Sequence, residues 1–256
     1  MRPVWCTRWT MWTASALASE ARAGGGNAWR AVEHQYSAST RKLVDTAAEQ
    51  ETLESILEAS KPPYPAGAGH LDYLLKSPFR YFPPRPHGGR FSRPSPAPGV
   101  FYGAERPATA LAEMACYRLR FFRASPGTPT PSTQERLTVF SARYRTGQRL
   151  DLTRPPLNRD RSLWTRPADY GATQALAESA RAGGVEVLRY ESVRDPGRGV
   201  NLALLVPGVF TRRAPQVLQT WLLYLGAREI GCERIGGGPG EQVVFSRAAL
   251  VLDFPA

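Results

Sequence analysis

At 256 residues and a formal charge of +11, the chain is long enough for one substantial core or two modest ones, and its apolar and aromatic content is that of an ordinary globular protein rather than a disordered one. The charge is carried almost wholly by arginine, since Lys42, Lys61 and Lys76 are the only lysines; scattered in this way it favours anionic ligands without forming a dense basic stripe. No run of about 18 apolar residues occurs, which excludes a membrane-spanning helix, and Cys6, Cys116 and Cys232 are too far apart for a disulfide framework or a thiolate metal site, which suits a reducing cytoplasm.

In chain order, residues 1–28 read as a poorly ordered extension. Arg8 and several threonines and serines interrupt what would otherwise mimic a secretory signal. Gly24-Gly25-Gly26 marks a break, and ordered structure is expected from Trp29. Residues 29–80 are expected to form an N-terminal helical segment packed on the main domain: Leu43, Val44, Ala47, Leu53, Ile56 and Leu57 recur at helical spacing, Ser39 or Thr40 supplies the N-cap, and Lys61-Pro62-Pro63 stops the helix. The proline-rich, aromatic stretch to Pro98 reads as irregular chain packed on the core.

Residues 81–256 form the main domain. Val100 to Gly103 is a short strand, and Pro107 opens a helix to about Arg120. Leu137–Tyr144 and Arg149–Leu152 read as two strands joined by a Thr146-Gly147 turn. Asp169 caps a helix ending at Gly183-Gly184, and the Asp195-Pro196-Gly197 turn joins strands Val185–Tyr190 and Val200–Val206. Trp221–Gly226 and Val243–Ser246 complete the set, separated by a flexible glycine run from Gly236. Helices interleaved with short, hairpin-joined strands point to an α+β fold with a mixed or antiparallel sheet and flanking helices.

Chemistry concentrates in two blocks. The first runs from Gly88-Gly89-Arg90-Phe91 through Phe101-Tyr102-Gly103 to Thr109-Ala110-Leu111-Ala112-Glu113, setting an arginine, a tyrosine and a carboxylate on a turn, a strand and a helix. On the helix, Ala108, Leu111, Ala112, Ala115 and Leu119 form the buried face and Glu113 lies well round from its centre, so pattern alone makes it a solvated glutamate. Tyr102 by itself is a core or half-buried strand tyrosine, and Arg90 stands at even odds between surface and site. The second block is Tyr190-Glu191-Ser192-Val193-Arg194-Asp195-Pro196 followed by Gly199-Val200-Asn201-Leu202-Ala203. His34, His70 and His87 lack metal-ligand spacing, the glycine run has no P-loop lysine, and no dinucleotide fingerprint follows a strand, so neither a metal nor redox use of NAD is expected.

Together the two blocks resemble the RES domain family, toxins of the RES–Xre type of bacterial toxin–antitoxin system. The resemblance implies a fold like that of the ADP-ribosyltransferases, with NAD as substrate rather than cofactor, cleaved at the nicotinamide–ribose bond by hydrolysis or phosphorolysis. It implies catalytic roles for Glu113, Arg90 and Tyr102, substrate contacts from Arg90, Tyr102, Ser192 and Arg194, and a supporting role for Gln174. A carboxylate beneath the ribose would stabilise the oxocarbenium-like state as neutral nicotinamide leaves. Gly89 departs from the small hydroxyl residue that relatives carry. The implied partner is an Xre-like antitoxin that covers the pocket, through which alone DNA would be contacted, in a homo-oligomer or a toxin–antitoxin hetero-oligomer. Two alternatives remain: ADP-ribosyl transfer to a protein, and a basic nucleic-acid-binding module whose retention on DNA would fall steeply with salt.

Overall fold

The computed structural model describes residues 12–34, 43–81, 86–94, 98–125, 127–129, 131, 133–238 and 241–253. In chain order its elements are α1 (Ala14–Glu20), β1 (Arg22–Glu33), α2 (Ala47–Ser60), α3 (Tyr73–Arg80), β2 (Phe101–Ala104), α4 (Pro107–Ala124), β3 (Glu135–Asp151), α5 (Arg161–Trp164), α6 (Gly171–Ala182), β4 (Val187–Glu191), β5 (Val200–Leu204), β6 (Val217–Leu225), β7 (Glu229–Arg234) and β8 (Gln242–Ser246). The strands make one eight-stranded sheet, ordered β1-β2-β5-β4-β3-β6-β7-β8, in which β1 also pairs with β3. Only β3–β4 is parallel; every other pairing is antiparallel. This is the expected mixed α+β architecture.

The extra β1–β3 pairing turns part of the sheet into a ring. Pairings run β1–β2–β5–β4–β3 and return to β1, while β6, β7 and β8 continue from β3 as a meander. The long strand β3 makes this possible. One of its edges pairs with β1 from Arg22↔Arg149 to Glu33↔Leu137; the other pairs with β6 over Glu135–Ser141 and with β4 over Arg149–Asp151. The expected turn at Thr146-Gly147 does not form. Gly147 lies within the continuous strand, at the register shift where pairing with β1 passes from Gly24↔Thr146 to Arg22↔Arg149, and Ala142, Tyr144 and Thr146 alternate inward against exposed Arg143, Arg145 and Gly147.

The reading of residues 1–28 as an extension is overturned for residues 12–28. Thr13 caps α1, accepting from the Ala16 N–H at 3.2 Å, and Leu17 is fully buried. Gly24-Gly25-Gly26 is not a break but the start of β1, where Gly25 presses so close to β3 that a Cβ would meet the Tyr144 carbonyl oxygen at 2.8 Å. The helix expected from Ser39 begins instead at Ala47. Thr46 accepts from the Glu49 N–H while the Glu49 carboxylate accepts from the Thr46 N–H, forming a capping box. Ser39 and Thr40 lie outside the described residues. The strand β7 was not foreseen in the sequence.

Three apolar clusters hold these elements. Leu111, Ala112, Ala115 and Leu119 of α4 pack on Leu137 and Val139 of β3 and on Trp221, Leu223, Ile230 and Phe245 of the meander. Leu17 and the inner face of α6 pack on Leu150, Leu188, Tyr190 and Ala203. Leu75 and Phe79 of α3 cover Phe101, Phe140, Tyr144 and Leu202. A leucine buried like Leu111 typically costs about 2–5 kcal/mol when cut to alanine, so α4 is firmly seated. Among the described residues no helix is long and apolar enough to cross a membrane.

Candidate active site

A cavity of about 350 Å³ opens where the ring meets α4. Its wall is built from Trp29, Arg30 and Ala31 of β1, Gly88, Gly89 and Arg90 of a turn, Tyr102, Gly103 and Ala104 of β2, one face of α4, Tyr170, Tyr190 of β4, Val193 and Arg194, and Asn201 of β5. The wall is rich in aromatic rings and arginines. Glu113 is the only carboxylate among its described lining residues.

Helix phase alone would leave Glu113 solvated, yet it lines the cavity because β4 and β5 rise beside α4. Its Oε1 accepts from the Ser192 hydroxyl at 2.7 Å and from the Asn201 amide nitrogen at 2.5 Å. Oε2 makes no hydrogen bond among the described residues. The Ser192 hydroxyl is itself oriented: its oxygen accepts from the backbone N–H groups of Arg194 at 3.2 Å and Asp195 at 3.0 Å, so its proton is left for Glu113. Asp195 then accepts from the Thr109 hydroxyl at 2.8 Å and from the Gly197 and Gly199 N–H groups, tying the loop to the first turns of α4. Gly199 is required here, since a Cβ would fall 2.0 Å from Thr109 Oγ1.

Arg90 sits on a tight turn closed by reciprocal Gly89–Ser92 backbone bonds. Gly88 at φ +71° admits the turn, and a Cβ there would strike the Ser92 carbonyl oxygen at 2.3 Å, so the glycine pair serves the turn itself. The Arg90 guanidinium stacks over Tyr170, 4.6 Å from the ring centre, and Nη1 donates to the Trp164 and Arg166 carbonyls at 3.0 and 2.9 Å. Gln174, weighed in the sequence only as a supporting residue, holds this turn from α6: its amide donates to the carbonyls of His87, Gly89 and Ser92. Tyr102 accepts from the Phe91 N–H at 3.0 Å, and burial raises its phenol above the usual range. Tyr102 lines the cavity.

Arg194 departs from its expected role. It lines the cavity, but its guanidinium donates to the Val251 and Pro167 carbonyls, both at 2.7 Å, and only 3% of the residue is exposed. It fastens the segment after β8 to the loop before α6 rather than offering itself to a phosphate. Three contributors to the site were missed. Arg30 lies on β1, where the sequence pointed to the start of a helical segment and not to a strand; its Nη1 donates to the Tyr102 carbonyl at 2.8 Å, it stacks 5.2 Å from the centre of the Phe101 ring, and burial lowers its guanidinium to about 10. Asn201 could have been found as the one polar side chain inside the apolar run Val200–Leu204. Tyr190 is 5% exposed, stacked edge-on against Phe91, with burial holding its phenol far above the usual range. Among the described residues no group of histidine, cysteine and acidic side chains could hold a metal.

Fold and site together define an α+β protein whose ring of strands encloses a pinned carboxylate beneath aromatic and cationic walls. The RES domain profile matches residues 62–225, and the chain belongs to that family. Among solved structures, the M. tuberculosis MbcT-MbcA toxin-antitoxin complex is similar at 14% identity over 91% of this chain and 93% of that one, with a TM-score of 0.44. No curated protein matches the chain.

Proposed function

We propose that this protein is the toxin of a bacterial toxin–antitoxin system and acts in the cytoplasm by cleaving the bond between nicotinamide and ribose in NAD. The observation that carries this reading is Glu113, held through Oε1 by Ser192 and Asn201 while Oε2 is left to the cavity. Nicotinamide leaves as a neutral ring from a pyridinium, so the C–N bond takes its electron pair to nitrogen and positive charge grows on the ribose. A fixed carboxylate beside that carbon stabilises the charge without having to reorganise. Tyrosine rings in the wall offer stacking surfaces for the pyridinium, and Arg30 and Arg90 supply positive charge for the pyrophosphate. Water or phosphate then bonds to the ribose carbon, and water loses its proton to solvent. No resident cofactor is needed for these steps.

Family membership also supports a cognate antitoxin as partner, of the Xre-like kind, with the oligomeric state following from that assembly. The test is release of free nicotinamide from NAD by the purified protein, with and without phosphate. The wild type is expected to release it, and Glu113→Gln, which keeps shape and removes charge, to lose on the order of 10²–10³ in turnover with little change in NAD affinity. A folded wild type that leaves NAD intact, with neither water nor phosphate as acceptor, would overturn the reading. Nicotinamide release matched by ADP-ribose bound to protein, with no free ADP-ribose or phosphorylated ADP-ribose formed, would replace it with protein ADP-ribosylation.

A further inference from the structure

We infer that Asn201 is a positioning residue retained for the carboxylate and not for the fold, an inference that rests on the catalytic reading of Glu113. Its surroundings are unusual for a structural asparagine. It sits in β5, hydrogen-bonded on both sides, opposite Ala104 of β2 and Tyr190 of β4, and it is 3% exposed. The neighbours along the strand are aliphatic, and every one from Leu202 to Leu204 is fully buried. Leu202 and Leu204 face the other side of the sheet, and Ala203, the strand neighbour on the Asn201 face, is fully buried, so an apolar side chain would match this face.

The amide makes one hydrogen bond, from Nδ2 to Glu113 Oε1 at 2.5 Å. The Oδ1 atom is buried and accepts none. The orientation is fixed, because exchanging nitrogen and oxygen would set two acceptors face to face. A buried acceptor without a donor destabilises a folded chain. The side chain therefore costs the fold something and returns one donor, aimed at the carboxylate.

That donor completes a division of labour on Glu113. Ser192 and Asn201, from opposite sides of the hairpin turn between β4 and β5, both bind Oε1. With one oxygen held at two points the carboxylate cannot swing, and Oε2 stays presented to the cavity. Ser192 alone would leave it free to rotate about a single contact. The second donor fixes the plane, which matters most when charge develops on a sugar carbon whose position is set by the rest of the pocket.

The test is Asn201→Leu in the full-length protein, with Asn201→Asp as a same-shape variant that removes the donor. Nicotinamide release and thermal unfolding are measured on both. The leucine variant is expected to lose about ten- to a hundredfold in kcat, the worth of one hydrogen bond to a charged group, with KM for NAD little changed and Tm equal to or above that of the wild type. The aspartate variant is expected to lose turnover at least as far, because two carboxylates then face each other. Wild-type turnover in either variant, or a leucine variant whose Tm falls along with its activity, overturns the inference. If the wild type itself does not cleave NAD, the functional reading fails instead, and a Tm at or above wild type for the leucine variant would still identify Asn201 as a residue the fold does not need.

Discussion

The guanidinium of Arg90 works from a turn with little stability of its own, held from outside by Gln174, whose amide reaches three carbonyls of that turn. Replacing Gln174 with leucine removes that restraint while leaving α6 intact, because the helix is seated by Ala172, Leu176, Ala177 and Ala180. The expected result is a several-fold rise in KM for NAD with a smaller change in kcat, measured by nicotinamide release, and loss of about 1–3 kcal/mol of stability from the unpaired carbonyls. At this scale the sequence was legible where the family pattern names a residue type. Arg90, Tyr102, Glu113 and Ser192 do line or support one cavity. Arg30 escaped because its significance comes from the pairing of β1 with β2, which no local spacing reveals, whereas Asn201 was marked locally as the one polar side chain in an apolar strand. Arg194 misled because an arginine at a cavity wall can be engaged by backbone carbonyls and a neighbouring tyrosine hydroxyl instead of a ligand.

Among the elements, the ring of strands depends on a clamp at its side. Arg189 of β4 donates to both oxygens of Glu105, just after β2, at 2.7 and 2.9 Å, and to Asp151 at the end of β3 and the Thr153 hydroxyl. Although burial alone would raise the Asp151 carboxyl, bonds from Thr153 and the charge of Arg189 bring it below the usual range. Its contribution to stability is thus present above the ordinary aspartate range and fades as pH falls. Arg189→Met is expected to destabilise by about 2–3 kcal/mol, since it leaves two partly buried carboxylates facing each other; denaturant melts would measure it. The strands β2, β4 and β5 and the helices α4 and α6 were readable from turn residues and periodicity. The strand β1 was not, because three glycines mimic a linker, and they are tolerated in a strand only because β3 lies pressed against them. The helix α2 was read correctly from helical spacing, although that apolar face joins no core: Ile56 is 62% exposed and none of its residues is buried. Its tie to the body is Arg80, which binds Glu58 at 2.6 Å and stacks on Tyr64.

Across the molecule, the two described cysteines report on the integrity of the core. Burial pushes the thiols of Cys116 and Cys232 up to about 12 from an ordinary value near 9. Between pH 9 and 12 the unfolded chain releases these protons while the folded chain keeps them, so stability falls as pH rises through that window and is unaffected by the thiols below it. A Cys116→Ala, Cys232→Ala double variant should show a flatter decline of Tm across that range than the wild type. In the native wild type at pH 8 both thiols should resist a maleimide reagent that labels them once denaturant is added. Fold class was legible at this scale because hairpin turns and short strands advertise antiparallel pairing. Closure of the ring was not, because it rests on β1.

The cavity wall is assembled from residues as early as Trp29 and as late as Asn201, and this fixes when the activity can first exist. A ribosome that has translated only as far as β4 has made the carboxylate, the arginine turn and most of the aromatic surface, but neither the asparagine that steadies Glu113 nor the strand that joins β2 to β4. On the proposed function, NAD cleavage is expected to begin only once β5 has emerged, paired with β2 and β4 and brought Asn201 against Glu113.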